Sequence, residues 1–125
     1  MKFNPSNIER DQSEFNDSLG YLGRINILLT LCDQNSMQLN VYNWFHALLS
    51  LYRELSTEMN ETEIQRGKEF RDKVRPQMKR LKLGEVTPEL YDELNDFELF
   101  IRDILKSSGL QQKLKDKPGE ALANG

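Results

Sequence analysis

The sequence predicts an all-α protein, a compact bundle of four main helices made of two antiparallel αα-hairpins. Three observations carry this. Apolar residues recur at steps of three and four in four separate runs. No run alternates with the period of two that a strand requires. Glycine and proline are sparse, seven and four in 125 residues.

The first run is Phe15, Leu19, Leu22, Ile25, Leu29 and Cys32. Ser6 and Glu9 form an S-x-x-E capping box ahead of it, beside Pro5. Gly20 and Gly23 weaken this helix, which sets a second candidate start near Asp17. The polar cluster from Asp33 to Asn40 reads as a turn. The second run is Val41, Phe45, Leu48, Tyr52, Leu55 and Met59. Asn60 and Glu63 then offer another capping box. The third run is Ile64, Gly67, Phe70, Val74, Met78 and Leu81, with Pro76 inside it predicting a kink. Gly84 suits a left-handed helix end. Thr87-Pro88-Glu89 supplies an N-cap, a proline at the first helical position and an acid against the positive helix end. The fourth run is Leu90, Leu94, Phe97, Ile101 and Ile104. One helical domain over residues 1–116 follows, with 117–125 (KPGEALANG beyond Asp116) as a disordered tail.

Registers follow from the links. A link at Gly84 to Thr87 places Leu81 opposite Leu90, Val74 opposite Phe97, Phe70 opposite Ile101 and Gly67 opposite Ile104. The same register matches Lys82 with Glu89, Lys79 with Asp92, Arg75 with Asp96 and Lys68 with Asp103. On the first hairpin, Leu28 meets Phe45, Ile25 meets Leu48 and Leu22 meets Leu51.

Composition limits the function. With 38% apolar and 30% charged residues, the chain is too apolar for disorder and too polar for a membrane protein. A net charge of −3 excludes a generally cationic nucleic-acid binder but leaves room for a local basic patch. One cysteine, Cys32, excludes an intrachain disulfide and a cysteine zinc site. One histidine, His46, excludes most histidine-based metal sites and triads. The polar N-terminus lacks the apolar region of a signal peptide, and Ile25 to Cys32 is too short to span a membrane. A cytoplasmic setting is therefore expected. The ten asparagines fit an AT-rich genome of the kind many phages carry.

The second helix is the strongest functional signal. Ten of the fifteen residues from Val41 to Leu55 are apolar. Trp44, Leu51 and Leu55 form a second stripe beside the core stripe, and Tyr42 adds a further aromatic ring. Such a helix is either central to the fold or an interface. The function expected is a non-catalytic protein–protein interaction or assembly module, self-associating or docking on a larger protein through Trp44, Leu51, Leu55 and Tyr42. The alternative is an accessory nucleic-acid binder. The third helix has eight Lys and Arg against two acids between Ile64 and Leu83. Lys68, Arg71, Arg75, Lys79 and Lys82 are assigned to the acidic fourth helix, which leaves Arg66, Lys73 and Arg80 as phosphate contacts.

Of the remaining candidates, His46 reads as a packed or half-exposed residue and Cys32 as a small buried hydrophobe. Arg24 needs solvent or a partner such as Glu54 or Glu58. Glu89-x-x-Asp92 and Glu93-x-x-Asp96, with Glu58 and Glu61 upstream, resemble the all-α nucleotide pyrophosphohydrolases, whose E-x-x-E and E-x-x-D pairs imply Mg²⁺. Asn60 breaks the helix between Glu58 and Glu61, so those two do not share a face. No cofactor, metal or catalytic residue is assigned.

Overall fold

The computed structural model describes the backbone of residues 5–82 and 85–115, and the side chains of residues 20–82 and 85–115. Among these residues the fold is all-α. Four main helices follow in order: α1 (Pro5–Met37), α2 (Val41–Glu54), α3 (Glu61–Arg80) and α4 (Pro88–Ser107). A 3-10 turn at Leu55–Glu58 closes α2, and a last helical turn covers 110–115. No described helix is long and apolar enough to cross a membrane. The Ser6–Glu9 capping box, the Phe15 and Leu19 side chains, the helix-ending role of Gly84 and the 117–125 tail lie outside the described residues.

Local chemistry explains most boundaries. α1 starts at Pro5 and is interrupted at Gly20, with φ 71° and ψ −172°. That backbone region is open to glycine alone. α1 ends in a Schellman motif: Asn40 N–H donates to Asn35 C=O at 2.9 Å and Leu39 N–H to Ser36 C=O at 3.2 Å. Asn40 then caps α2 by accepting from Asn43 N–H. The Asn60–Glu63 capping box forms with both of its hydrogen bonds. Thr87 accepts from Leu90 N–H, and Pro88 opens α4. α3 continues past Pro76 to Arg80.

Leu39 holds the left-handed position of the Schellman motif at φ 56°, where glycine is the ordinary occupant, and its side chain is half exposed. Leu39→Gly is expected to raise stability by about 1 kcal/mol, because left-handed geometry costs an L-residue roughly 1–2 kcal/mol. Chemical denaturation checks it; an unchanged or lowered midpoint contradicts it.

α2 is the central helix, in contact with α1, α3 and α4. Trp44, Leu48, Leu51 and Leu55 are each 0% exposed. This corrects the interface expected at Trp44, Leu51 and Leu55. The second apolar stripe exists because α2 is covered from several sides, and those three side chains have no surface left for another chain. Tyr42 does stay outside, 49% exposed, with its hydroxyl donating to Met78 C=O at 3.2 Å. α3, by contrast, is peripheral and buries only Gly67, Val74 and Met78.

The α3–α4 register differs from expectation. Phe70 stacks on Phe97, with ring centroids 5.2 Å apart, rather than meeting Ile101. The partner has moved four residues, about one helical turn. The cause is the exit from α3. Leu81 is already extended, at φ −74° and ψ 137°, so the link begins there and not at Gly84. The expected ion pairs Arg75–Asp96, Lys79–Asp92, Lys82–Glu89 and Lys68–Asp103 do not form. Among the described residues, the ion pair that joins the two helices is Lys73–Glu93, at 3.9 Å.

Gly67 allows a close approach by Tyr52 of α2, not by Ile104. A Cβ built there would overlap the Tyr52 ring, and the Tyr52 hydroxyl is fixed by donation to Ile64 C=O at 2.6 Å. Gly67→Ala gains about 1 kcal/mol of helix propensity but overpacks this contact, which costs roughly 1–3 kcal/mol. A net loss is expected. Tyr52→Ala in the same chain should reverse the sign of the Gly67→Ala effect in a double-mutant cycle. Additive effects of the two changes would contradict the contact.

Candidate interaction surfaces

The side chains that looked most available are committed to the interior. Trp44 Nε1–H donates to Glu98 Oε1 at 2.9 Å. Arg102 Nε–H donates to Glu98 Oε2 at 3.1 Å, and its Nη2 reaches Asp33 Oδ1 at 2.9 Å. This chain of bonds joins α2, α4 and α1. Cys32 is buried beside it, and burial pushes its thiol up to about 12 from 9.0, aided by the nearby Glu98 carboxylate. Arg24 finds the expected partner: its Nε–H donates to Glu54 Oε1 at 3.2 Å. His46 is exposed on α2.

A groove of about 530 Å³ opens between α3 and α4. Phe70 and Phe100 line it, and the Arg66 guanidinium lies 5.8 and 5.5 Å from their ring centroids. Asp96 and Asp103 border the groove, and Leu99, 60% exposed, stands at its edge. A second cleft continues from Lys73 past Arg80 towards Glu85 and Glu89. Thus Arg66, Lys73 and Arg80 do share one line, as their heptad spacing implies. That line faces the acids of α4. Lys73 pairs with Glu93, Arg66 covers the aromatic rings, and Arg80 Nε–H donates to Pro76 C=O at 3.2 Å. A phosphate entering there would meet Glu93 and Asp96.

The two flanks of α3 have therefore exchanged roles. Lys68, Arg75, Lys79 and Lys82 are exposed and form no ion pair among the described residues. Arg71 pairs only with its neighbour Asp72, at 3.1 Å. Helical spacing sets Lys68, Arg75 and Lys79 on the flank of α3 away from Arg66 and Lys73, the side on which Ile64 C=O and Met78 C=O accept from Tyr52 and Tyr42 of α2. On α4, Glu89, Asp92, Asp96 and Asp103 are likewise exposed and form no ion pair among the described residues.

The carboxylates do not assemble as the hydrolase resemblance implies. Glu58 ends the 3-10 turn and Glu61 begins α3, with Met59 extended between them at φ −103° and ψ 144°. No group of three or more His, Cys, Asp or Glu side chains gathers to hold a metal among the described residues. Sequence reasoning missed Glu98, Leu99 and Phe100. The available signal was the width of the fourth helix's apolar face, where Leu99 and Phe100 adjoin Ile101 off the main stripe. No family model, curated protein or solved structure matches the chain.

Proposed function

We propose that this chain is a non-catalytic interaction or assembly module of the cytoplasm, which self-associates or docks on a larger protein through the α3–α4 face. The observation that carries this reading is the groove between those helices. It combines an aromatic lining at Phe70 and Phe100, a protruding Leu99 and an acidic border. An apolar anchor point ringed by charge is the anatomy of a protein interface. The large side chains of α2 support the fold, so the surface is left for recognition.

Sedimentation at rising protein concentration tests the self-associating form, and immobilised protein tests docking. Leu99→Ser should weaken either association by ~10-fold or more while leaving the melting temperature within a few degrees, since Leu99 is largely outside the core. A monomeric mass at all concentrations, with no partner retained, contradicts the reading.

A nucleic-acid-binding reading is favoured by one observation, the unpaired basic stripe Lys68, Arg75, Lys79 and Lys82. Four phosphate contacts on a single strand would give log K a slope of about −3 against log salt. Fluorescence anisotropy with a labelled oligonucleotide checks this; no binding at low salt removes it.

A further inference from the structure

We infer that the basic stripe of α3 docks against the acidic stripe of α4 in a second copy of this chain. The inference rests on the interaction-module reading and names its partner.

Two facts carry it. The first is the matched spacing. On α3, Lys68, Arg75 and Lys79 advance by seven and four residues, and Lys82 follows in the link. On α4, Asp103, Asp96 and Asp92, read in the opposite direction, step by the same seven and four. Two antiparallel helices therefore bring these three pairs together at once. The segment from Lys68 to Lys79 spans about 16 Å of helix. The second fact is that the fold separates the two stripes. Within one chain Asp96, Asp103 and Glu89 border the α3–α4 clefts, opposite Arg66, Lys73 and Arg80. The bases lie on the other flank of α3, beside α2. Neither set forms an ion pair among the described residues. Complementary charge that the fold keeps apart within one chain is available between chains.

The geometry has a further consequence. The two stripes are different surfaces, so two copies that exchange both contacts reciprocally close as a two-fold dimer, and copies that share one contact continue as a ring or an open filament. Isolated exposed ion pairs are weak, and a register-matched set of three acts as a network that also excludes wrong alignments. Leu99, between Asp96 and Asp103 in sequence and 60% exposed, adds an apolar contact to the acidic side.

The test uses the full chain and two charge-reversed variants. One carries Arg75→Glu and Lys79→Glu; the other carries Asp92→Lys and Asp96→Lys. All four side chains are exposed and form no ion pair among the described residues, so circular dichroism should show both variants folded. Light scattering reads the mass against the monomer's 14.6 kDa. The wild type should associate at low salt and dissociate as the Debye length shrinks from ~10 Å at 0.1 M to ~3 Å at 1 M. Each variant alone should associate at least ~10-fold more weakly, and an equimolar mixture of the two should recover association. The mixture recovers because the intact acids of one variant meet the intact bases of the other.

Variants that associate as the wild type does would overturn the stripe pairing and leave the interaction reading in place. A wild type that stays monomeric at all salts but binds an immobilised partner would do the same. A monomeric wild type that binds an oligonucleotide, and loses it with Arg75→Glu and Lys79→Glu, would assign the basic stripe to nucleic acid and overturn the inference.

Discussion

Trp44→Ala is expected to destabilise the fold by about 3–5 kcal/mol, the range for removing a large aromatic side chain from a packed core. Trp44 is 0% exposed and meets Tyr91 edge-on, with ring centroids 5.5 Å apart. The loss has two parts that a second variant separates. Trp44→Phe keeps most of the apolar volume but removes the indole N–H that donates to Glu98. A hydrogen bond to a charged group contributes roughly 1.5–3 kcal/mol, so Trp44→Phe should recover part of the loss and not all of it. Denaturant titration reads both, and molecules still folded should keep the wild-type association state. A stability loss below about 1 kcal/mol for Trp44→Ala, together with weakened association, would return Trp44 to the surface role that its sequence context first implied.

The second large effect is alkaline. In the folded chain the Cys32 thiol holds its proton up to about 12, whereas its ordinary value is 9.0. Below pH 9 both states are protonated and the stability is fully present. As pH rises from 9 towards 12 the unfolded chain releases the proton first, binds fewer protons than the native state, and becomes relatively more stable. The slope is at most about 1.4 kcal/mol per pH unit, giving a loss of up to about 4 kcal/mol across the window. Burial raises Tyr21 and Tyr52 above 10.0 as well, so their contributions fall in the same direction at higher pH. Denaturation midpoints at pH 8, 9 and 10 check this. Cys32→Ala should flatten the decline that begins near pH 9 and leave the tyrosine part. Equal slopes in the two proteins would contradict it.

Helices were legible where the signal is local. The Asn60–Glu63 box and the Thr87-Pro88 start are interactions over three residues, and both form as their sequences specify. Arg24 was legible through elimination, since it has no acid a turn away and must look to another helix. Trp44 was not legible. Periodicity tells how much of a helix is apolar, but not how many neighbours cover it, and α2 has three. The α3–α4 register depended on one backbone angle at Leu81, which no stripe encodes. Which flank of α3 faces α4 is a separate matter: it depends on the side against which α2 packs, and a match of stripes by height is blind to it. The groove at Phe70 and Phe100 was hidden for a related reason: α3 buries few side chains, so the space beside it is set by the shifted packing of α4 and not by either stripe alone.

The bonds from Trp44 through Glu98 and Arg102 to Asp33 also constrain how this sequence can drift. Glu98 is held by an indole on one side and a guanidinium on the other, so an apolar replacement removes the acceptor of two donors at once. Loss of Trp44 removes the reason for an acid at Glu98, and Arg102 would then have only Asp33 to answer. Variants of this protein should therefore exchange these four positions together, an apolar set replacing a polar one, while the neighbouring leucines of α2 vary independently among residues of similar volume.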